Sequence, residues 1–266
     1  MARMKSLKRP LARQRDLHGH CRAGATAFLF ALLTFMLVVP AQSLAQGSLV
    51  LTHGEWEASF LGGGSFLGSG TYSTPVDNSG QSSSRAVGLK YDTGYSLGAA
   101  ITENRWQHWG MTLEYNFANQ PITFSNLSDS IPSLRLGHLI HRFAYDVLYY
   151  PLDRHQKLRP YLFAGPGVSL FYIKGSSKNE AKALGVSSLS DPWKFTMNWG
   201  GGVKYLFKKP VAALFQFSDS ISGVPGYGLP ETGSVGSGGY SPGFRPDGLM
   251  NNWLISFGLN YQWNDR

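Results

Sequence analysis

The sequence predicts an all-β protein, a closed antiparallel eight-stranded transmembrane β-barrel, and three observations point to it. After the N-terminal segment no stretch reaches the roughly 18 consecutive apolar residues that mark a spanning helix. Residues instead alternate with period two, over runs longer than the five or six residues of an ordinary soluble strand. The connections between those runs alternate strictly between brief and long, the pattern of short periplasmic turns and long extracellular loops.

The chain divides into a signal peptide over residues 1–45, a lead-in over 46–54 and a barrel domain over 55–266. Its formal net charge of +8 suggests at first a nucleic-acid or anionic partner. Seven basic residues, Arg3, Lys5, Lys8, Arg9, Arg13, Arg15 and Arg22, lie ahead of an apolar run from Ala25 to Val39, leaving 17 basic and 15 acidic residues after residue 45. The mature chain is therefore close to neutral, and nucleic acid is not an expected partner. A basic start, an apolar run of about 15 residues, Pro40, and small residues at Ser43 and Ala45 form the pattern of a secretory signal cleaved after Ala45. The single cysteine, Cys21, precedes the apolar run, so it is not placed for lipid attachment, and the mature chain has no disulfide.

Eight runs follow. The first extends from Trp56 to about Leu67. In the second, Val87, Leu89, Tyr91, Thr93, Tyr95, Leu97, Ala99 and Ile101 alternate with small or polar residues through Thr102. The third places Trp109, Met111, Leu113, Tyr115 and Phe117 on one face; the fourth, Leu136 to Tyr150, sets His141, Phe143, Tyr145, Val147 and Tyr149 opposite Arg142 and Asp146. The fifth covers Pro160 to Tyr172, the sixth Lys194 to Phe207, the seventh Val211 to Ser218, and the last runs from Trp253 to Trp263. Brief turns near 103–108, 152–158 and 208–210 alternate with long loops near 68–86, 119–135, 173–193 and 221–248. Aromatics at strand ends, among them Tyr149, Tyr150, Trp193, Trp253, Tyr261 and Trp263, form the expected interfacial girdles. The last loop, with nine Gly and four Pro, reads as a mobile surface loop, and Lys178 to Gly185 as a short helical turn ended by Gly185.

Closure follows from the solvent. Hydrocarbon offers no partner to backbone N–H and C=O groups, so an open sheet edge is excluded there. With eight strands the interior is about filled by side chains, and no wide pore is expected. The polar faces carry Glu57, Lys90, Asp92, Glu114, Arg142, Asp146, Lys194 and Lys204, expected to point inward as a paired or hydrated charge network.

The final run, with Ser256, Gly258, Tyr261 and Trp263, resembles the C-terminal insertion signal of bacterial outer-membrane proteins, although Asn264, Asp265 and Arg266 follow the last aromatic. Arg159 to Val168 and Trp199 to Tyr205 resemble strands of the small OmpA-like and OmpX-like outer-membrane β-barrel superfamily. The resemblance implies residence in the cell outer membrane, contact with outer-membrane lipids and lipopolysaccharide, and delivery by the outer-membrane assembly machinery. It identifies a fold more than an activity.

No zinc spacing appears among His53, His108, His138, His141 and His155, and Gly62 to Gly64 and Gly200 to Gly202 lack the Lys-Ser/Thr of a phosphate loop. No cofactor, metal or catalytic set is therefore expected. The leading function is structural or adhesive, with extracellular loops that can meet a ligand, in a monomer; passage of small solutes and lipid A modification are the alternatives. Mass spectrometry of the mature protein should find Gln46 at its N-terminus, and a membrane-retained chain that keeps Met1 would contradict export.

Overall fold

The computed structural model describes residues 51–264 apart from 79–80, 154–155, 187 and 237–238; the expected signal segment and His155 lie outside the described residues. Eight strands close into one antiparallel barrel: β1 (Leu51–Leu67), β4 (Gly94–Trp106), β5 (Trp109–Asn119), β8 (His138–Tyr149), β9 (Leu158–Ile173), β10 (Trp193–Lys208), β11 (Val211–Gly223) and β14 (Leu249–Asn264). The first strand begins at Leu51, so residues 51–54 of the expected lead-in are extended barrel backbone. Strand β1 pairs with both β4 and β14, which removes the last edge.

Alternation sets the two faces. Along β8, Arg142, Ala144, Asp146 and Leu148 are buried inside while Phe143, Tyr145 and Val147 are exposed outside. Phe60 is 69% exposed and Phe257 65%, with Leu97, Ile101, Leu113, Leu259 and Phe195 on the same outer surface. A continuous apolar outer wall around a polar interior is the arrangement for hydrocarbon, the reverse of a soluble barrel. Two glycines let the closing strands approach: a Cβ at Gly63 would strike the backbone carbonyl of Ile255, and one at Gly258 that of Phe60.

The long connections correct the sequence reading. They contain six further strands, β2 (Gly70–Asn78), β3 (Gln81–Tyr91), β6 (Ile122–Ser125), β7 (Ser133–Leu136), β12 (Gly233–Gly236) and β13 (Gly239–Ser241), joined in the order β13-β12-β2-β3-β6-β7. The run expected as a single strand from Val87 to Thr102 is thus two strands, separated at Asp92 and Thr93, and it serves two cores. Val87, Leu89 and Tyr91 are buried beneath the second sheet, whereas Tyr95, Leu97 and Ile101 face outward from the barrel. The Gly- and Pro-rich last loop is likewise packed, with Val224, Tyr227, Leu229 and Phe244 buried. Between β9 and β10, helix α1 (Gly175–Ala183) starts one turn before the expected Lys178 and stops at Gly185, whose φ of +88° suits glycine.

These segments form a cap. One apolar cluster joins Leu89, Ile122, Phe124, Leu127, Leu134, Tyr227 and Phe244 of the cap to Ala118, Ile140, Phe171, Ile173 and Met250 at the outer end of the barrel. The mouth is closed by a hydrophobic core continuous with the barrel rather than by loose loops.

The two faces make a direct prediction. Leu113 lies midway along β5 and is 57% exposed to the outside. Leu113→Arg should cost about 2 to 4 kcal/mol of folding free energy in lipid vesicles, Val147→Arg less because it lies nearer the inner end, and Asp146→Asn least. Greater sensitivity at Asp146 than at Leu113 would mean that the apolar wall does not meet lipid.

Candidate functional site: the filled lumen and its cap

The interior is built in layers by the inward residues of successive strands. Nearest the inner end, Glu57 of β1 is fully buried and accepts from Lys204 Nζ, from Asn104 Nδ2 at 2.7 Å and from Asn260 Nδ2 at 3.0 Å. Arg159 Nη1 lies 3.5 Å from the same carboxylate, and its guanidinium stacks 3.6 Å above the ring of Tyr150. Lys204 Nζ also donates to Tyr150 Oη at 2.9 Å. One carboxylate thus faces two cations and two amide donors, so the strands that carry them are held about a single charge centre.

The middle layer centres on Glu114 of β5. Arg142 Nη2 donates to Glu114 Oε1 at 2.9 Å, Gln216 Nε2 to Oε2 at 3.0 Å, and Asn116 Nδ2 to Oε1. Arg142 Nη1 reaches Ser220 Oγ, which in turn meets Asn198. Tyr161 Oη donates to Gln216 at 2.8 Å, and Gly200 and Gly202 on β10 leave space for the inward rings of Phe163 and Tyr161. Between the two layers lies a cavity of about 20 Å³, lined in part by Ser59, Thr112, Glu114, Tyr161, Lys204 and Gln216. It has room for about one water molecule.

Of the expected inward charges, Glu57, Glu114, Arg142 and Lys204 meet in these two layers. Asp146 is buried two inward positions below Arg142, and its Oδ1 meets no hydrogen-bond donor among the described residues. Lys194 is half-buried on the inner face of β10 at its outer end. Lys90 and Asp92 lie elsewhere: Lys90 is exposed on β3, and Asp92 pairs with Arg135 at 2.8 Å beside the cap, because the second run divides between two sheets. Tyr150, expected in an aromatic girdle, is fully buried in the Glu57 layer, since its position has inward parity on β8's continuation. Arg159 was absent from the expected set. Its parity with Tyr161 and Phe163 was the available signal, obscured because those inward neighbours are aromatic and look lipid-facing.

Above the charge layers, Ser65 Oγ lies 3.0 Å from Gln120 Oε1 and 3.1 Å from Asn252 Oδ1. The cap is then fastened by a polar chain through its apolar core: Tyr91 Oη lies 2.9 Å from Tyr227 Oη, which lies 3.3 Å from His138 Nε2, while His138 Nδ1 is 3.0 Å from the carbonyl of Gln120. Burial holds the Tyr91 and Tyr227 phenols above their ordinary range, so both hydroxyls stay available as donors. At the C-terminus, Ser256 and Gly258 face the interior and Tyr261 and Trp263 the outside, as strand alternation requires.

The Glu57 layer predicts a large cost for one atom change. Glu57→Gln leaves Lys204 and Arg159 as buried cations without their counter-ion and should destabilise the folded barrel by about 3 to 5 kcal/mol, read from its urea unfolding midpoint. A shift below about 0.5 kcal/mol would show that the layer does not hold the strands.

No family model and no curated protein matches the sequence. Solved structures do. The outer membrane protein OprG from Pseudomonas aeruginosa aligns at 16% identity over 80% of this chain and 98% of its own, with a TM-score of 0.51. The N-terminal β-barrel domain of Pseudomonas aeruginosa OprF aligns at 14% identity over 79% and 97%, with a TM-score of 0.40. Escherichia coli outer membrane protein W aligns at 18% identity over 78% and 97%, with a TM-score of 0.35. With its closed eight-strand topology and apolar outer wall, the chain has the fold of a small outer-membrane β-barrel, the fold it shares with OprG.

Proposed function

We propose that this protein is a surface-binding scaffold of the outer membrane, whose barrel anchors a cap that meets extracellular ligands. The observation that carries this reading is the filled lumen beneath a sealed mouth. Two charge layers cross the barrel, the cavity between them holds about 20 Å³, and the apolar core above links cap and rim. Passage of a solute would require both the layers and the core to separate, whereas display of the cap requires neither.

The cap's outer surface has a groove of about 920 Å³ bordered by Tyr72, Ser73, Ser82, Ser84, Arg245 and Asp247. It is built on the β2–β3 hairpin, where Pro75 pairs with Ser84 and Ser73 with Ala86. The backbone N–H of Arg245 donates to Thr74 Oγ1 at 3.2 Å, seating the last loop against that hairpin. Many hydroxyls, one aromatic ring and a separated cation and anion suit a hydroxylated ligand such as a saccharide, which offers both donors and acceptors and an apolar ring face.

Two measurements on the purified protein test the reading together. In planar bilayers it should give no discrete conductance steps, and on an oligosaccharide array it should retain a subset of glycans that Arg245→Ala loses. Regular conductance steps together with no glycan retention would favour the solute-passage alternative.

A further inference from the structure

The outer wall of the barrel is interrupted by a groove of about 460 Å³, lined by Tyr115 of β5, His141 and Phe143 of β8, Leu170 of β9 and Trp193 of β10. Strand register explains it. His141 pairs with Leu170, and Leu170 with Trp193, so a medium-sized aliphatic side chain lies in one row between an imidazole and an indole. One row inward, Tyr115 pairs with Phe143 and their rings pack at 4.9 Å. Leu170 is thus the aliphatic centre of a shallow site spanning adjacent strands, which lie about 4.8 Å apart.

Its depth is fixed by the strand ends. Leu170 lies three residues before the end of β9, His141 three residues after the start of β8, and Trp193 begins β10. The groove therefore occupies the outer-leaflet side of the apolar wall, within about 10 Å of the outer end at some 3.3 Å per residue. Polar capacity sits at this level: Tyr115 Oη and His141 Nδ1 are 2.8 Å apart, so each satisfies the other on a lipid-facing surface. A second ring nitrogen and a hydroxyl lone pair remain for an additional partner.

Immediately above stands a row of cations. Lys174 follows β9, and Lys178 and Lys182 lie four and eight residues on, a spacing that places all three along one side of α1. The direction of that side is given by Lys178, whose Nζ is 5.4 Å from the ring of Tyr172, two residues beyond Leu170 on the outer wall. Lys178 also pairs with Asp191 at 2.6 Å, and the exposed Glu180 is the acidic residue of the helix, turned some 200° away from Lys178. The adjoining side of α1, with Ser177 and Ala181, is buried in the cap, so the lysines flank the packed face. Lys178 over Tyr172 and Lys174 over Gly137 thus stand beyond the outer end of the groove, with Lys182 one helical turn further along α1.

We propose that groove and lysine row form one binding site for a phosphorylated, multiply acylated glycolipid of the outer leaflet. One acyl chain would lie over Leu170 between Phe143 and Trp193. The Tyr115–His141 pair would meet the acyl linkage, and a phosphate would meet Lys174 and Lys182. The commitment to this occupant rests on two features: the groove is continuous with the wall that faces hydrocarbon, and the charge above it is complementary to phosphate. The site is independent of the saccharide reading, because it lies on the barrel wall and not on the cap's outer groove.

Native mass spectrometry of the full mature chain, released from detergent with diphosphorylated lipid A or with the same lipid dephosphorylated, tests the site. Wild-type protein should retain the diphosphorylated form selectively. Leu170→Trp, which fills the groove, and the double variant Lys174→Gln, Lys182→Gln should each weaken retention about tenfold, while Phe215→Trp, on the outer wall of β11, should leave it unchanged. Heat-modifiable migration reports the folded barrel in each case. If Leu170→Trp does not fold, the lysine variant, which lies outside the membrane, decides the question with the dephosphorylated lipid. Equal retention of the two lipids, or unchanged retention in a folded variant of either kind, overturns the proposal.

Discussion

Everything in this molecule depends on the pairing of β1 with β14. Inside a bilayer each unpaired backbone group costs several kcal/mol, so the first and last strands must meet across the membrane. They do so from Glu55 with Asn264 to Leu67 with Asn252. That closure forces every second residue inward, whatever its chemistry, and makes the interior a space the sequence must fill. Small residues at Gly63, Gly200, Gly202 and Gly258 and large ones at Tyr150, Tyr161 and Phe163 are two sides of the same packing problem.

Charge enters as a consequence. An inward Glu, Arg or Lys is costly alone and tolerable among partners, and the observed solution is two compact centres, Glu57 with Lys204 and Arg159, and Glu114 with Arg142. Each centre gathers residues from strands far apart in sequence; Glu57 and Asn260 are separated by 203 positions. Such contacts specify which strands close against which, and they also exclude a solute from the same volume. Strength of closure and filling of the lumen have one cause.

The barrel was legible in the sequence because period-two alternation is strong where one face meets lipid. Leu113, Phe143, Phe195 and Phe257 declare that face directly. The cap was not legible, and the second run shows why. Val87, Leu89, Tyr91, Tyr95, Leu97 and Ile101 share one parity, yet the first three are buried in the cap core and the last three face outward from the barrel. Alternation reports that one face is apolar; it does not report whether lipid or protein covers it. The displacement of Lys90 and Asp92 from the lumen follows from the same ambiguity. In the last loop, Gly and Pro content suggested freedom, while Tyr227 and Phe244 supplied the buried anchors that composition conceals. Asp219 is another case: its position has outward parity, yet it is buried and accepts a 2.6 Å hydrogen bond from Asn251, and nothing local in the sequence announces that partner.

The central claim is that the mouth of the barrel is sealed by a packed cap. Amide hydrogen exchange on the full mature chain in lipid vesicles tests it most directly, through the backbone N–H groups of β3 and β6 that pair between Gly88–Tyr91 and Ile122–Ser125. Protection there comparable to that of the upper barrel strands is the predicted result. Exchange at the rate of unstructured chain in those segments, with the barrel strands still protected, would contradict the sealed mouth and reopen the lumen to solvent from above.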